Sequence, residues 1–223
     1  MKYDPQKHHR RSIRLKGYDY HNAGAYFVTI CTKNREHVLD DPIVNGIIND
    51  VWLALTSWFP TIVLDEFVVM PNHIHFILWL IDPVGVSLAD TQTADTQTGT
   101  GASPVPTVTT GWVIPRSEKI NAAPALGDVV GAFKSLVFKV YLDWIEIHDP
   151  SRRAKFWQRN YYEHIVRNER ELNAIRQYVM DNPKNWKMDR DNLENKGNLP
   201  TPEKIEDYLQ DIEEMLEIKL IGE

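Results

Sequence analysis

The chain has 223 residues, 25 of them Lys or Arg and 31 Asp or Glu, for a formal charge of −6, which is room for one well-buried domain with attachments. A hydrophobic share of 43% beside a charged share of 25% argues against wholesale disorder and against a membrane protein, and no apolar run approaches the roughly 20 residues of a spanning helix. Cys31 is the single cysteine, which excludes an intramolecular disulfide and a thiolate-rich zinc site and leaves His, carboxylate and amide groups for any metal.

The net charge hides a split. Eleven of the acidic and four of the basic residues lie from Asp189 on, leaving 21 basic against 20 acidic before it. Within the first sixteen residues Lys2, Lys7, Arg10, Arg11, Arg14 and Lys16 face only Asp4, which reads either as a basic arm or as a solvated tail. The charged N-terminus lacks the apolar core of a secretory signal, so the expected location is cytoplasmic.

Residues 25–32, AYFVTICT, alternate as a strand buried on both faces. Asp41 and Pro42 start a helix whose Ile43, Val44, Ile47, Ile48, Val51, Trp52, Leu55 and Trp58 recur at helical spacing until Pro60. Two strands follow, Ile62 to Val69 and His73 to Ile81, expected to pair as a hairpin about Met70-Pro71-Asn72. At about 89–125 the composition turns to Thr, Ala, Gly, Pro and Gln, with ADTQT twice in succession, and reads as a mobile insert. A second helix is expected from Gly127 or Asp128 to about His148, with Lys134 and Lys139 facing water.

Residues 155–166 contain a strand-like stretch, and Asn168 with Glu171 forms a capping box opening a third helix that runs through Tyr178 to about Asp181, ended by Pro183. The order is that of an α+β, ferredoxin-like βαββαβ antiparallel sheet with both helices on one face, which leaves the other face free. Thr201 and Pro202 begin a C-terminal helix with an apolar stripe and an acidic opposite side, suited to packing on the body or to a dimer contact. The chain thus divides into a basic arm over 1–24, a domain over 25–186 that contains the insert, and an acidic tail over 187–223.

Period-two geometry puts His73 and His75 on one side of their strand, close enough to share an ion, with Ile74 and Phe76 pointing away. A pair of unrelated histidines at a sheet edge is the plainer reading. Tyr178 and Asn182, four residues apart, flank the apolar stripe of Leu172, Ile175 and Val179, where a nucleophile and an auxiliary ligand would stand; a half-buried core tyrosine is the alternative. Asn182 also precedes Pro183, which disfavours helical geometry there. Arg152, Arg153, Lys155, Arg159, Arg167, Arg170 and Arg176 make the surroundings basic and suited to a DNA backbone. Tyr161 and Tyr162, beside His164, are lesser candidates whose ordinary role is packing or base stacking.

With those residues in view, the sequence resembles the single-tyrosine HUH transposases, most nearly the branch called REP-associated tyrosine transposases. The likeness is carried by RRSIRLKGYDY (10–20), AYFVTICT (25–32), VMPNHIHF (69–76), LGDVVGAFKSL (126–136) and the stretch 156–183 with FWQRNYYEH and YVMDNP. The resemblance implies that His73 and His75 are the HUH ligands, Asn182 completes the metal site and Tyr178 is the nucleophile. It also implies Mg²⁺ or Mn²⁺ as the ion and single-stranded DNA beside a hairpin, a repeated extragenic palindrome, as substrate, with no membrane partner. A monomer or a homodimer is expected. Arg10, Arg11 and Arg14 are expected to reach the hairpin stem. A non-catalytic nucleic-acid-binding module, or a host-adopted regulator on the same fold, is the rival reading.

Overall fold

Seven buried residues in succession make β1 (Gly24–Cys31) an interior strand with core on both sides. The computed structural model describes residues 14–15, 17–82, 123–189, 191, 192 and 194. After β1 the order is α1 (Pro42–Trp58), β2 (Ile62–Val69), β3 (His73–Leu80), α2 (Leu126–His148), β4 (Tyr162–Ile165) and α3 (Glu169–Asn185). The four strands form one sheet in the order β2-β3-β1-β4, every neighbouring pair antiparallel. This is the ferredoxin-like βαββαβ arrangement expected from the order of elements.

The local reasons are those the residue types suggest. Asp41 caps α1, its Oδ1 accepting from the backbone N of Ile43 at 2.8 Å and of Val44 at 3.3 Å, with Pro42 in the first turn. Asn168 caps α3 through the backbone N of Glu171 at 2.9 Å, while the Glu171 carboxylate takes the backbone N of Arg167 and His164 Nε2. α1 and α2 cover one sheet face and enclose the larger core, in which Trp52, Phe67, Phe76 and Phe133 pack ring to ring.

Several expectations need correction. The second sheet face is not free, because the Leu172, Ile175 and Val179 stripe of α3 packs there on Ala25, Phe27, Ile77 and Tyr162. α3 does not stop at Pro183; it continues to Asn185 and passes into a 3-10 turn over Trp186–Met188. Pro183 forfeits the bond its N–H would have made to the Val179 carbonyl, and the helix carries on through Lys184 and Asn185 despite that loss. The strand expected within 155–166 is only four residues long, although Trp157 bridges to Thr32. Lys134 is half-buried rather than solvated and donates to the carbonyls of Gln158 at 2.6 Å and Arg159 at 3.1 Å. Lys139 is exposed and pairs with Asp143.

No helix among the described residues is long and apolar enough to cross a membrane. Arg10, Arg11, nearly all of the insert and the C-terminal helix from Thr201 lie outside the described residues.

Candidate metal and nucleophile centre

β3 alternates as its period demands. Ile74, Phe76, Leu78 and Leu80 enter the larger core, while Ile77 joins the smaller core under α3, on the side that His73 and His75 share. Both imidazoles are fully buried, with ring centroids 4.5 Å apart.

Register and turn chemistry hold each ring. Thr29 lies opposite His75 across the β1–β3 pair, and its Oγ1 is 2.8 Å from His75 Nδ1. His73 Nδ1 is 2.8 Å from Asn72 Oδ1. The orientation of that amide follows from its other end, where Asn72 Nδ2 donates to the carbonyls of Arg35 at 3.2 Å and Asp191 at 2.6 Å. Asn72 Oδ1 is therefore the acceptor, His73 Nδ1 carries the proton, and the lone pair sits on Nε2. Arg35 presents its carbonyl from an unusual backbone, following Asn34 into the left-handed region with φ of 56° and 57° respectively.

Burial, reinforced by the Arg35 charge, pushes the pKa of His73 down to about 3. Burial likewise holds His75 well below the usual imidazole range, with His73 and Arg35 adding to the effect. Both rings are neutral near pH 7, the form that ligates a cation.

α3 brings the phenol. Tyr178 Oη lies 3.3 Å from His75 Nε2, and Phe27 wedges the pair, its ring stacked on His75 at 5.4 Å and edge-on to Tyr178 at 6.0 Å. Asn182, one turn on, is 3% exposed. It lies between Tyr178, which meets His75, and Trp186, whose ring centroid is 6.1 Å from that of His73. His73 Nε2 is a buried acceptor with no hydrogen-bond partner, and so is Asn182 Oδ1, one helical turn along α3 from Tyr178. A buried unpaired polar atom costs on the order of 1–3 kcal/mol, a cost that a bound cation would offset at either atom. Imidazole nitrogens with an amide oxygen fit Mn²⁺, and fit Mg²⁺ with added water.

No family model matches the chain. A protein of Haemophilus influenzae, described as uncharacterised, is 34% identical over 197 residues, covering 85% of this chain and 96% of its own length. The chain belongs to that protein's family. Among solved structures, a REP-associated tyrosine transposase bound to a REP hairpin aligns over 79% of this chain and 74% of its own, with 15% identity and a TM-score of 0.44. A candidate transposase of Deinococcus radiodurans aligns over 76% of this chain and 97% of its own, with 17% identity and a TM-score of 0.39. At these TM-scores neither likeness bears on function.

The basic residues singled out in the sequence are scattered in this member of the Haemophilus protein's family. Arg14 donates to Tyr161 Oη at 2.7 Å, lies over the rings of Tyr20 and Tyr161, and is 4.0 Å from Glu163. Arg152 pairs with Asp41 and Asp149 and lies over Trp144, joining the start of α1 to the end of α2. Arg176 pairs with Asp65. Arg153, Lys155, Arg159, Arg167 and Arg170 are exposed. The loop over 156–158 is bonded to the end of β1, where Gln158 N donates to the Cys31 carbonyl, and Cys31 lies opposite His73. Tyr162 is buried beneath α3, 6.4 Å from Phe27.

Sequence reasoning missed four residues of the centre: Thr29, Asn72, Asp189 and Asp191. Thr29 was recoverable in principle from strand register. The two aspartates carried no signal, since they sit where the charge count marks an acidic tail. Yet one ligand atom from each of His73, Asp189 and Asp191 falls within 4.8 Å of the others.

Proposed function

We propose that the chain is a single-tyrosine HUH strand transferase that cuts and rejoins single-stranded DNA beside a hairpin, with Tyr178 as nucleophile. The observation that carries the reading is the Tyr178 hydroxyl 3.3 Å from His75 Nε2, beside the paired ring of His73 whose buried Nε2 has no hydrogen-bond partner. The motif resemblance over residues 10–186, including PNHIHF and YVMDNP, supports it.

The residues that would hold a divalent cation, Mg²⁺ or Mn²⁺, are His73, His75 and Asn182, and the chemistry supplied there is charge stabilisation at a non-bridging phosphate oxygen. Phe27 and the α3 stripe hold Tyr178 beside the ligands, which limits the orientations its phenol must search once His75 Nε2 takes the ion. Its oxygen bonds to phosphorus as the bond to the 3′ oxygen breaks; the phenol loses its proton and the 3′ oxygen gains one. No water is consumed. The resulting 5′-phosphotyrosine conserves the ester bond, and a second 3′-hydroxyl reverses the step to join new ends.

The exposed Arg153, Lys155 and Arg159 lie in or beside the loop tied to β1 and suit the DNA backbone. Arg10, Arg11 and Arg14 would meet the hairpin stem.

The test is incubation with hairpin-flanked single-stranded DNA and Mn²⁺, followed by denaturing electrophoresis. A covalent protein–DNA adduct is expected from wild type, none from Tyr178→Phe, and at least about a hundredfold less from His73→Ala or His75→Ala. An undiminished adduct in Tyr178→Phe, or none from wild type, would falsify the proposal.

A further inference from the structure

Beyond α3 the chain turns back onto the start of β3. The Asp191 carbonyl accepts from Asn72 Nδ2 at 2.6 Å, the Asp191 carboxylate meets Arg35 Nη1 at 2.7 Å, and Asn192 Nδ2 donates to the Trp186 carbonyl at 3.1 Å. Asp191 and Asn192 are buried as a result. These bonds aim Asp189 at the histidine pair. Its Oδ1 accepts from the backbone N of Asp191 at 2.7 Å, and its Oδ2 lies 3.9 Å from His73 Nε2.

His73 is 0% exposed, and Nε2 is the ring atom that carries the lone pair and has no hydrogen-bond partner. A separation of 3.9 Å is too long for a hydrogen bond. It is within the roughly 4.2 Å that two ligands, each about 2.1 Å from one ion, can span.

We propose that Asp189 is a further protein ligand of the divalent-cation site of His73, His75 and Asn182, and that Asp191, clamped by Arg35, positions it. The inference rests on the metal site in the function proposed above and adds a residue from outside the motif blocks. A carboxylate brings a full negative charge and a hard oxygen, which biases a histidine site away from the softer preference for zinc or copper and towards Mn²⁺ or Mg²⁺. It also has a mechanical consequence. Tyr178 and Asp189 hang from one continuous run of helix and turn, so an ion joining Asp189 to β3 pins the element that carries the nucleophile.

The experiment is calorimetric titration of the purified full chain with Mn²⁺. Asp189→Asn is expected to weaken binding tenfold or more, His73→Ala to abolish it, and Glu146→Gln, which removes an exposed acid on α2, to leave it within twofold. A second measurement needs no variant. Mn²⁺-loaded wild type labelled with ¹³C-carboxylate aspartate is expected to show, by electron–nuclear double resonance, the strong coupling of a directly coordinated carboxylate. Binding within twofold of wild type in Asp189→Asn while His73→Ala loses it, or absence of that coupling, overturns the Asp189 assignment alone. Binding unchanged in both His73→Ala and His75→Ala overturns the metal site itself, and this assignment with it.

Discussion

A hydroxyl from the neighbouring strand sets what His75 can do. Thr29 Oγ1 lies 2.8 Å from His75 Nδ1 and holds the ring with Nε2 turned towards Tyr178; for Nε2 to ligate a cation, Nδ1 would carry the proton and donate it to Thr29. Thr29→Val is therefore expected to lower Mn²⁺ affinity about 10- to 100-fold and, by leaving the buried Nδ1 without its partner, to cost about 1–3 kcal/mol of stability, as read by titration and urea unfolding. Glu163 offers a test of burial at a site remote from the chemistry. Burial raises its carboxyl above the ordinary 4.5, against the opposing influence of the Tyr20 hydroxyl and the Arg14 charge. A raised folded-state pKa means the full contribution to stability is present below about 4.5 and is lost as pH rises through the folded value. Glu163→Gln should then match wild type in urea midpoint at acid pH and exceed it increasingly towards neutrality; a gap constant with pH would show that the carboxyl is not raised.

Among the elements, α3 decides most. A bulge in β2 between Leu64 and Phe67 puts Asp65 where its carboxylate takes Trp79 Nε1 at 2.8 Å and Arg176 Nε at 2.9 Å. That contact fixes α3 across the sheet and with it the height of Tyr178 above His75. Arg176 is about a third exposed, so the link is discounted for solvent screening. Asp65→Asn should cost about 1–2 kcal/mol in urea unfolding and lower adduct formation more than it lowers Mn²⁺ affinity. Helix and strand periods made α1, β1, β2 and β3 legible because those signals are local. The Leu172, Ile175 and Val179 stripe announced that α3 needed a partner surface, but an apolar stripe carries no address. Pro183 misled for a related reason: its preference acts on a single turn, and the packing of Trp186 and the turn after it overrides that preference.

Across the whole molecule the two cores are unequal. Among the described residues the smaller, under α3, contains seven buried residues against 28 in the larger, so less apolar area resists the detachment of α3 than resists global unfolding. Native-state hydrogen exchange should show α3 amides opening at lower free energy than those of β1 and β3, and Mn²⁺ should narrow that gap if the ion joins α3 and its continuation to β3. Equal protection of α3 and β1 without metal would contradict this ordering.

By itself the sequence determined the α+β order of elements, the face shared by His73 and His75, and the pairing of Tyr178 with Asn182 on one side of a helix. Each of these follows from backbone periodicity over a few residues. Only the tertiary structure decided that α3 lies over the histidine face, that Asn72 sets the His73 tautomer while Thr29 holds the His75 ring, and that Asp189 and Asp191 return to the same point. Those contacts join residues far apart in the chain, and which of them form is chosen by the burial of surfaces that no local pattern encodes.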